Sequence, residues 1–172
     1  NNSMKQYEKK YKEFKFFQAA PDDFANLKYL EINNHKNGKN NYNELWDKLK
    51  TQNKYKLGTI FNTDTSNGGG QHWNALYFDL NTGEINFFDS VGVKPSYNVK
   101  KFIDKLQSYF TLKNIKSKYK YNTIQHQFKN SECGVYSMNF IIRRLNSETF
   151  ENITNNITLD DNMNSCRSKY FT

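Results

Sequence analysis

The chain has 172 residues, enough for one domain with a proper core, and its 36% hydrophobic content leans on large rings, Phe, Trp and Tyr making up 16% of the chain. No run of eighteen apolar residues exists, which excludes an ordinary helical membrane span. The formal net charge of +8 admits an acidic partner such as nucleic acid, or simply lysines on solvated faces in a chain that uses Lys and Asn throughout.

In chain order, Met4, Tyr7, Tyr11, Phe14 and Phe17 recur three or four apart, which predicts an amphipathic helix from Ser3 to Phe17. Pro21-Asp-Asp opens a short helix over Phe24 to Leu27, and Asn33 to Asn43 reads as an exposed loop. Tyr42, Leu45, Trp46 and Leu49 form another helical stripe. From Lys56 the period shortens. Leu57 to Phe61 is a strand, Asn62 to Gln71 a polar loop with three consecutive glycines, and His72 to Leu80 a second strand. Asn81-Thr-Gly83 signals a hairpin turn and Glu84 to Asp89 the return strand. Tyr97 to Phe110 is helical, Lys118 to Ile124 an edge strand, and Gly134 to Leu145 an apolar helix. Two shorter helical pieces follow, near Glu148 to Asn155 and Asp160 to Tyr170. Helices, strands, then helices make an α+β domain, a small mixed β-sheet flanked by helices, spanning residues 1–172.

Two cysteines, Cys133 and Cys166, are too few for a disulfide framework, so free thiols in a reducing compartment are expected. The residues Asn1 to Lys10 hold no apolar h-region, so secretion through a signal peptide is not expected. Cys133 stands at the start of the apolar helix, where the positive end of the helix dipole favours a thiolate. Cysteine hydrolases also need a base, an orienter for it and an oxyanion donor. His72 begins a strand directly after the glycine-rich loop and is the leading base; His35 and His126 are its rivals. Asp89 ends the partner strand and can hold the second imidazole nitrogen. In a simple hairpin turning at Thr82, however, Asp89 pairs with Ala75 or Leu76, leaving it roughly 10–14 Å from His72 at the usual rise. Gln127, six residues before Cys133, can donate an N–H to an oxyanion, with the Cys133 backbone N–H as the second donor. Each of these residues also has a bland reading as core or polar surface, and spacing alone leaves the set open.

The segments Gly-Gly-Gln-His72-Trp73-Asn-Ala-Leu, Phe-Phe-Asp89-Ser-Val-Gly and Gln127-(five residues)-Cys133-Gly-Val-Tyr resemble the adenovirus-protease and SUMO-protease superfamily. The order His, Asp, Gln, Cys and the intervals of seventeen and six residues are those of that group, and the likeness covers about residues 57 to 145. The resemblance implies an adenain-like fold with the catalytic cysteine at the N-terminus of a central helix. It implies Cys133 as nucleophile, His72 as general base and acid, Asp89 as orienter and Gln127 in the oxyanion hole. Trp73 and Gly70 would line the substrate groove. No metal and no required cofactor are implied, with DNA as a candidate activator; Cys166 is expected to be an unreactive helix thiol.

The tail Asp160-Asp-Asn-Met163-Asn-Ser-Cys-Arg167 resembles the ending of polyprotein-processing proteases of large DNA viruses, and small proteases of virophages and Polinton-type elements are similar. The resemblance therefore implies a monomeric cysteine endopeptidase that matures viral capsid or other structural precursors, cutting after small residues such as Gly. It would work in the host cytoplasm or viral factory and be packaged in the virion, with its basic surface available to DNA. The same motifs also serve release of SUMO or ubiquitin-like proteins and acyl transfer in related enzymes. A catalytically dead, basic nucleic-acid-binding module is the alternative from outside enzymology.

Overall fold

The computed structural model describes residues 2–17, 19–20, 42–62, 72–129 and 133–171. In chain order these form α1 (Asn2–Lys10), β1 (Phe14–Phe16), α2 (Tyr42–Thr51), β2 (Lys56–Asn62), β3 (Trp73–Asp79) and β4 (Glu84–Phe88). Then follow α3 (Tyr97–Leu112), β5 (Lys118–Tyr121), α4 (Cys133–Leu145), α5 (Phe150–Asn155), α6 (Asp160–Ser165) and α7 (Arg167–Tyr170). The strands make one sheet in the order β1-β2-β3-β4-β5. The central pairs β2–β3 and β3–β4 are antiparallel, while β1 and β5 are added parallel at the two edges. The α+β architecture with a small mixed sheet is thus the one expected.

Helices cover both faces, so the central strands are apolar at consecutive positions. Leu76 and Phe78 of β3, with Ile85 and Phe87 of β4, face a core closed by Trp46 of α2 and Phe102, Leu106 and Phe110 of α3. Trp46 is its hub, meeting Phe17, Phe78 and Phe102 edge-on at 5.4–6.0 Å between ring centroids. The intervening Ala75, Tyr77 and Phe88 face the other way, against Val135, Tyr136, Phe140 and Ile141 of α4. Phe88 and Phe140 stack at 4.9 Å. Helix α4 lies close on the sheet because β2 has Gly58 beneath it: a Cβ there would stand 3.1 Å from both Ile141 and Phe14.

The N-terminal helix is shorter than its periodicity predicts. It ends at Lys10, and Phe14–Phe16 is a strand running parallel to Lys56–Gly58. Phe14 and Phe16 enter the α4 side of the core while Phe17 enters the other, an alternation of period two that the wider helical spacing hides. The Glu8 carboxylate accepts the Phe16 N–H at 2.7 Å, tying helix to strand. The piece expected from Asp160 to Tyr170 is broken at Cys166 into α6 and α7. The short helix expected near Phe24, the loop with His35 and the glycine-rich loop with Gly70 lie outside the described residues.

Candidate active site

His72 and Asp89 lie just beyond the paired ends of β3 and β4. The register pairs Ala75 with Phe88 and Phe78 with Ile85, so Asp89 continues opposite Asn74 rather than Ala75 or Leu76. The expected offset was too large because the turn is centred between Asn81 and Thr82, not on Thr82. His72 is therefore a diagonal neighbour of Asp89, two positions away on the same side, within reach of two side chains of this length. No bulge is needed. His72 Nε2 and Asp89 Oδ2 are 2.9 Å apart.

Asp89 is buried, with its side chain 2% exposed against 24% for His72. Its position is fixed on all sides. Oδ1 accepts the Val91 N–H at 2.9 Å, and its backbone is clamped by Asn122, which accepts the Asp89 N–H at 2.9 Å and donates to its carbonyl at 2.7 Å. Gly92 completes the turn with φ 80°, and a Cβ there would stand 2.6 Å from the Thr123 carbonyl oxygen.

Cys133 is the first residue of α4 and is 7% exposed. The His72 imidazole, with Nε2 on Asp89, also shares a hydrogen bond with the Cys133 thiol. The hydrogen bond to Asp89, then that to Cys133, raises the His72 pKa to about 10 against the opposing effect of burial. At the thiol, burial is the largest single influence and pushes its pKa up. The hydrogen bond from His72 and the backbone amides of Trp73 and Gly134 outweigh it, and the thiol is held below its ordinary value. The two opposite shifts both favour the thiolate–imidazolium form of the pair over the neutral one.

Gln127 is buried at 4% exposure. Ser90 Oγ donates to its Oε1 at 2.6 Å, and its Nε2 donates to the Lys129 carbonyl. The Ser90 carbonyl accepts the N–H groups of both His126 and Gln127 at 2.8 Å. Trp73 is half-buried and packs against the α4 side of the core. The rival base His126 is turned away: Nε2 meets the Thr154 carbonyl at 3.0 Å, Nδ1 receives the Thr158 N–H at 3.4 Å, and the ring lies edge-on to Phe88. Burial holds its pKa down, so it is a neutral strut between α5 and the strand-end loop. Cys166 is half-buried, its thiol 3.6 Å from the Asn162 carbonyl within its own helical turn. Among the described residues no group of three His, Cys, Asp or Glu side chains could hold a metal ion. Nor is any described helix long and apolar enough to cross a membrane.

Ser90, Asn122 and the amides of Trp73 and Gly134 are absent from the sequence reading. The only signal for Ser90 is its place in the Phe-Phe-Asp89-Ser segment; the others have none.

A thiol at a helix start, an imidazole on it and a buried carboxylate behind that imidazole, all carried on this sheet, define a cysteine-peptidase domain. The chain belongs to the Ulp1 protease family, whose C-terminal catalytic domain matches residues 3–172. A protein of Acanthamoeba polyphaga mimivirus named as a thiol protease is 37% identical over 99% of this chain and 54% of its own length. A cysteine protease of African swine fever virus is 30% identical over 67% of this chain and 43% of its own length. The chain thus spans about half the length of these relatives. In three dimensions, the crystal structure of an African swine fever virus protease covers 99% of this chain and 64% of its own, with TM-score 0.78 and 21% identity. That of the SUMO protease Ulp1 with its catalytic cysteine oxidised to a sulfenic acid covers 89% and 68%, with TM-score 0.51 and 16% identity. These two likenesses are of fold.

Proposed function

We infer that the protein is a cysteine endopeptidase with Cys133 as nucleophile, His72 as general base and acid, and Asp89 as orienter of the imidazole. The observation that carries this reading is the joint between the halves of the site, an imidazole bonded at once to a buried carboxylate and to the thiol. The thiolate attacks the scissile carbonyl carbon, forming a C–S bond and an oxyanion. The Cys133 backbone N–H and the second N–H of Gln127 Nε2, the first being held by Lys129, receive that oxyanion. The His72 imidazolium gives its proton to the leaving amine as the C–N bond breaks. Neutral His72 then takes a proton from the water that hydrolyses the thioester, which restores the pair. On this reading Trp73, next to His72 in the chain, lines the substrate groove.

The substrate on this reading is a viral capsid or other structural precursor, cut after a small residue such as Gly. Support comes from the two named relatives, both proteases of large DNA viruses. A second reading, release of a SUMO-like protein from its conjugates, is favoured by the family and by African swine fever virus relatives named SUMO-1 cysteine proteases. Incubation with a capsid precursor and with SUMO and ubiquitin conjugates, followed by mass-spectrometric mapping of new termini, separates them. New termini after small residues in the precursor alone support maturation. Freed SUMO with an intact precursor sinks it, and cleavage that survives Cys133→Ala sinks both.

A further inference from the structure

Gln127 is held at both ends of its carboxamide, by Ser90 at Oε1 and by the Lys129 carbonyl at Nε2. The stretch that carries the second hold has little packing of its own. Phe128 turns its ring to solvent, 66% exposed, and the Lys129 ammonium pairs with an Asp161 that is 88% exposed. A pair so exposed constrains the backbone weakly. The main chain is nevertheless pinned. The N–H groups of Phe128 and Lys129 both donate to Oδ2 of Asp160, at 3.0 and 3.1 Å. The other oxygen, Oδ1, is 3.2 Å from the hydroxyl of Tyr136, one turn after Cys133 on α4. Asp160 itself is 8% exposed. Hydrogen bonds from amides to a buried carboxylate are charge-assisted and directional, so this one side chain from α6 fixes the peptide planes beside the glutamine.

We propose that Asp160 is a positioning residue for Gln127, acting through the Phe128–Lys129 backbone that follows it. By holding the peptide planes up to the Lys129 nitrogen it restricts the backbone that carries the Lys129 carbonyl, to which the Gln127 amide is tied, and so the direction of the N–H left for the oxyanion. The proposal rests on the role given to Gln127 above. Its effect belongs to steps that form an oxyanion and not to the thiolate itself, because Asp160 touches neither His72 nor Asp89.

Two reagents separate these steps on one sulfur. Iodoacetamide alkylates a thiolate with no oxyanion formed. 4-Nitrophenyl acetate acylates it: the C–S bond forms through a tetrahedral oxyanion and the C–O bond breaks, releasing 4-nitrophenolate. Both rates are measured in a Cys166→Ala background, so that Cys133 is the one thiol, alongside the thermal midpoint. Asp160→Ala is expected to slow acylation about 10- to 100-fold while alkylation stays within about twofold, the usual penalty for a displaced oxyanion donor. Asp160→Asn, which can still accept both N–H groups on its amide oxygen, is expected to recover most of that loss. Equal acylation in Asp160→Ala and the parent overturns the proposal. So does a parallel fall in both rates, since that marks loss of the fold or the thiolate. A parent that reacts with neither reagent is a different failure, that of Cys133 as nucleophile, and takes the proposal with it.

Discussion

His72, half-buried, and His126, fully buried, belong to one small domain, and their surroundings drive them in opposite directions. His72 has a carboxylate and a thiol on its ring; His126 has one backbone carbonyl, one backbone N–H and aromatic walls. The raised pKa of His72, about 10, means that its pairing stabilises the fold fully below about 6.5 and loses that effect as pH rises through about 10. For His126 the sign reverses. Its folded pKa lies below 6.5, so the unfolded chain gains a proton first as pH falls, and stability is lost from there downward. In urea denaturation at pH 7.5 and 5.5 this loss should contribute at most about 1.4 kcal/mol per pH unit, set against the His72 pairing, which gains over the same interval. His126→Gln, which keeps a donor toward Thr154, should flatten it; an unchanged slope would place the acid sensitivity elsewhere. At Cys133 the alkylation rate should titrate below the ordinary thiol range. His72→Ala removes the imidazolium and should move the inflection upward; an inflection that stays put would mean the helix-start amides alone hold the thiolate.

At the scale of elements, the site depends on how two strand ends are terminated. The hairpin offers His72 and Asp89 as diagonal neighbours, but the turn after β4 fixes the carboxylate, with Asn122 from beyond β5 closing it. Gly92→Ala must both hold φ near 80° and push back the Thr123 carbonyl. It should cost about 1–3 kcal/mol in denaturant and slow turnover as well, because the strained turn carries Asp89. Destabilisation without loss of turnover would show that the turn matters to the fold alone. Helices α2, α3 and α4 were legible in the sequence because each shows several turns of one apolar face. Strand β1 was not, since three residues give too short a period to compete with Tyr11, Phe14 and Phe17 at helical spacing. The register slipped by one residue because a four-residue turn leaves its centre undefined until the hydrogen bonds are seen.

For the molecule as a whole, one sheet is shared by two cores, and each core reports through its own probe. Trp46 lies in the α2–α3 core, whereas Cys133 starts the helix that closes the other. Phe78 and Tyr77, adjacent on β3, belong to opposite cores, so neither can melt while the other keeps the strand. In a Trp73→Phe background, where Trp46 is the one tryptophan, fluorescence and pulsed alkylation of Cys133 should therefore give the same urea midpoint; separated midpoints would make the layers independent units. Cys133, His72 and Asp89 were singled out by three motifs in a fixed order, and the structure brings their side chains together. Asp160, Ser90 and Asn122 were not, because a polar residue in a loop looks the same whether it faces water or holds a peptide in place.

The dependence of the loop on α6 also sets an order of events during synthesis. His72, Asp89 and Cys133 leave the ribosome before the carboxylate that pins Phe128 and Lys129, and before Thr154 and Thr158, which hold His126. At roughly 5–20 residues per second, a nascent chain spends about 1–5 s with its thiol made and Asp160 not yet added. Through that interval the thiol exists without the carboxylate that holds the Phe128 and Lys129 amides, and the α4-side core still lacks Met163 and Tyr170.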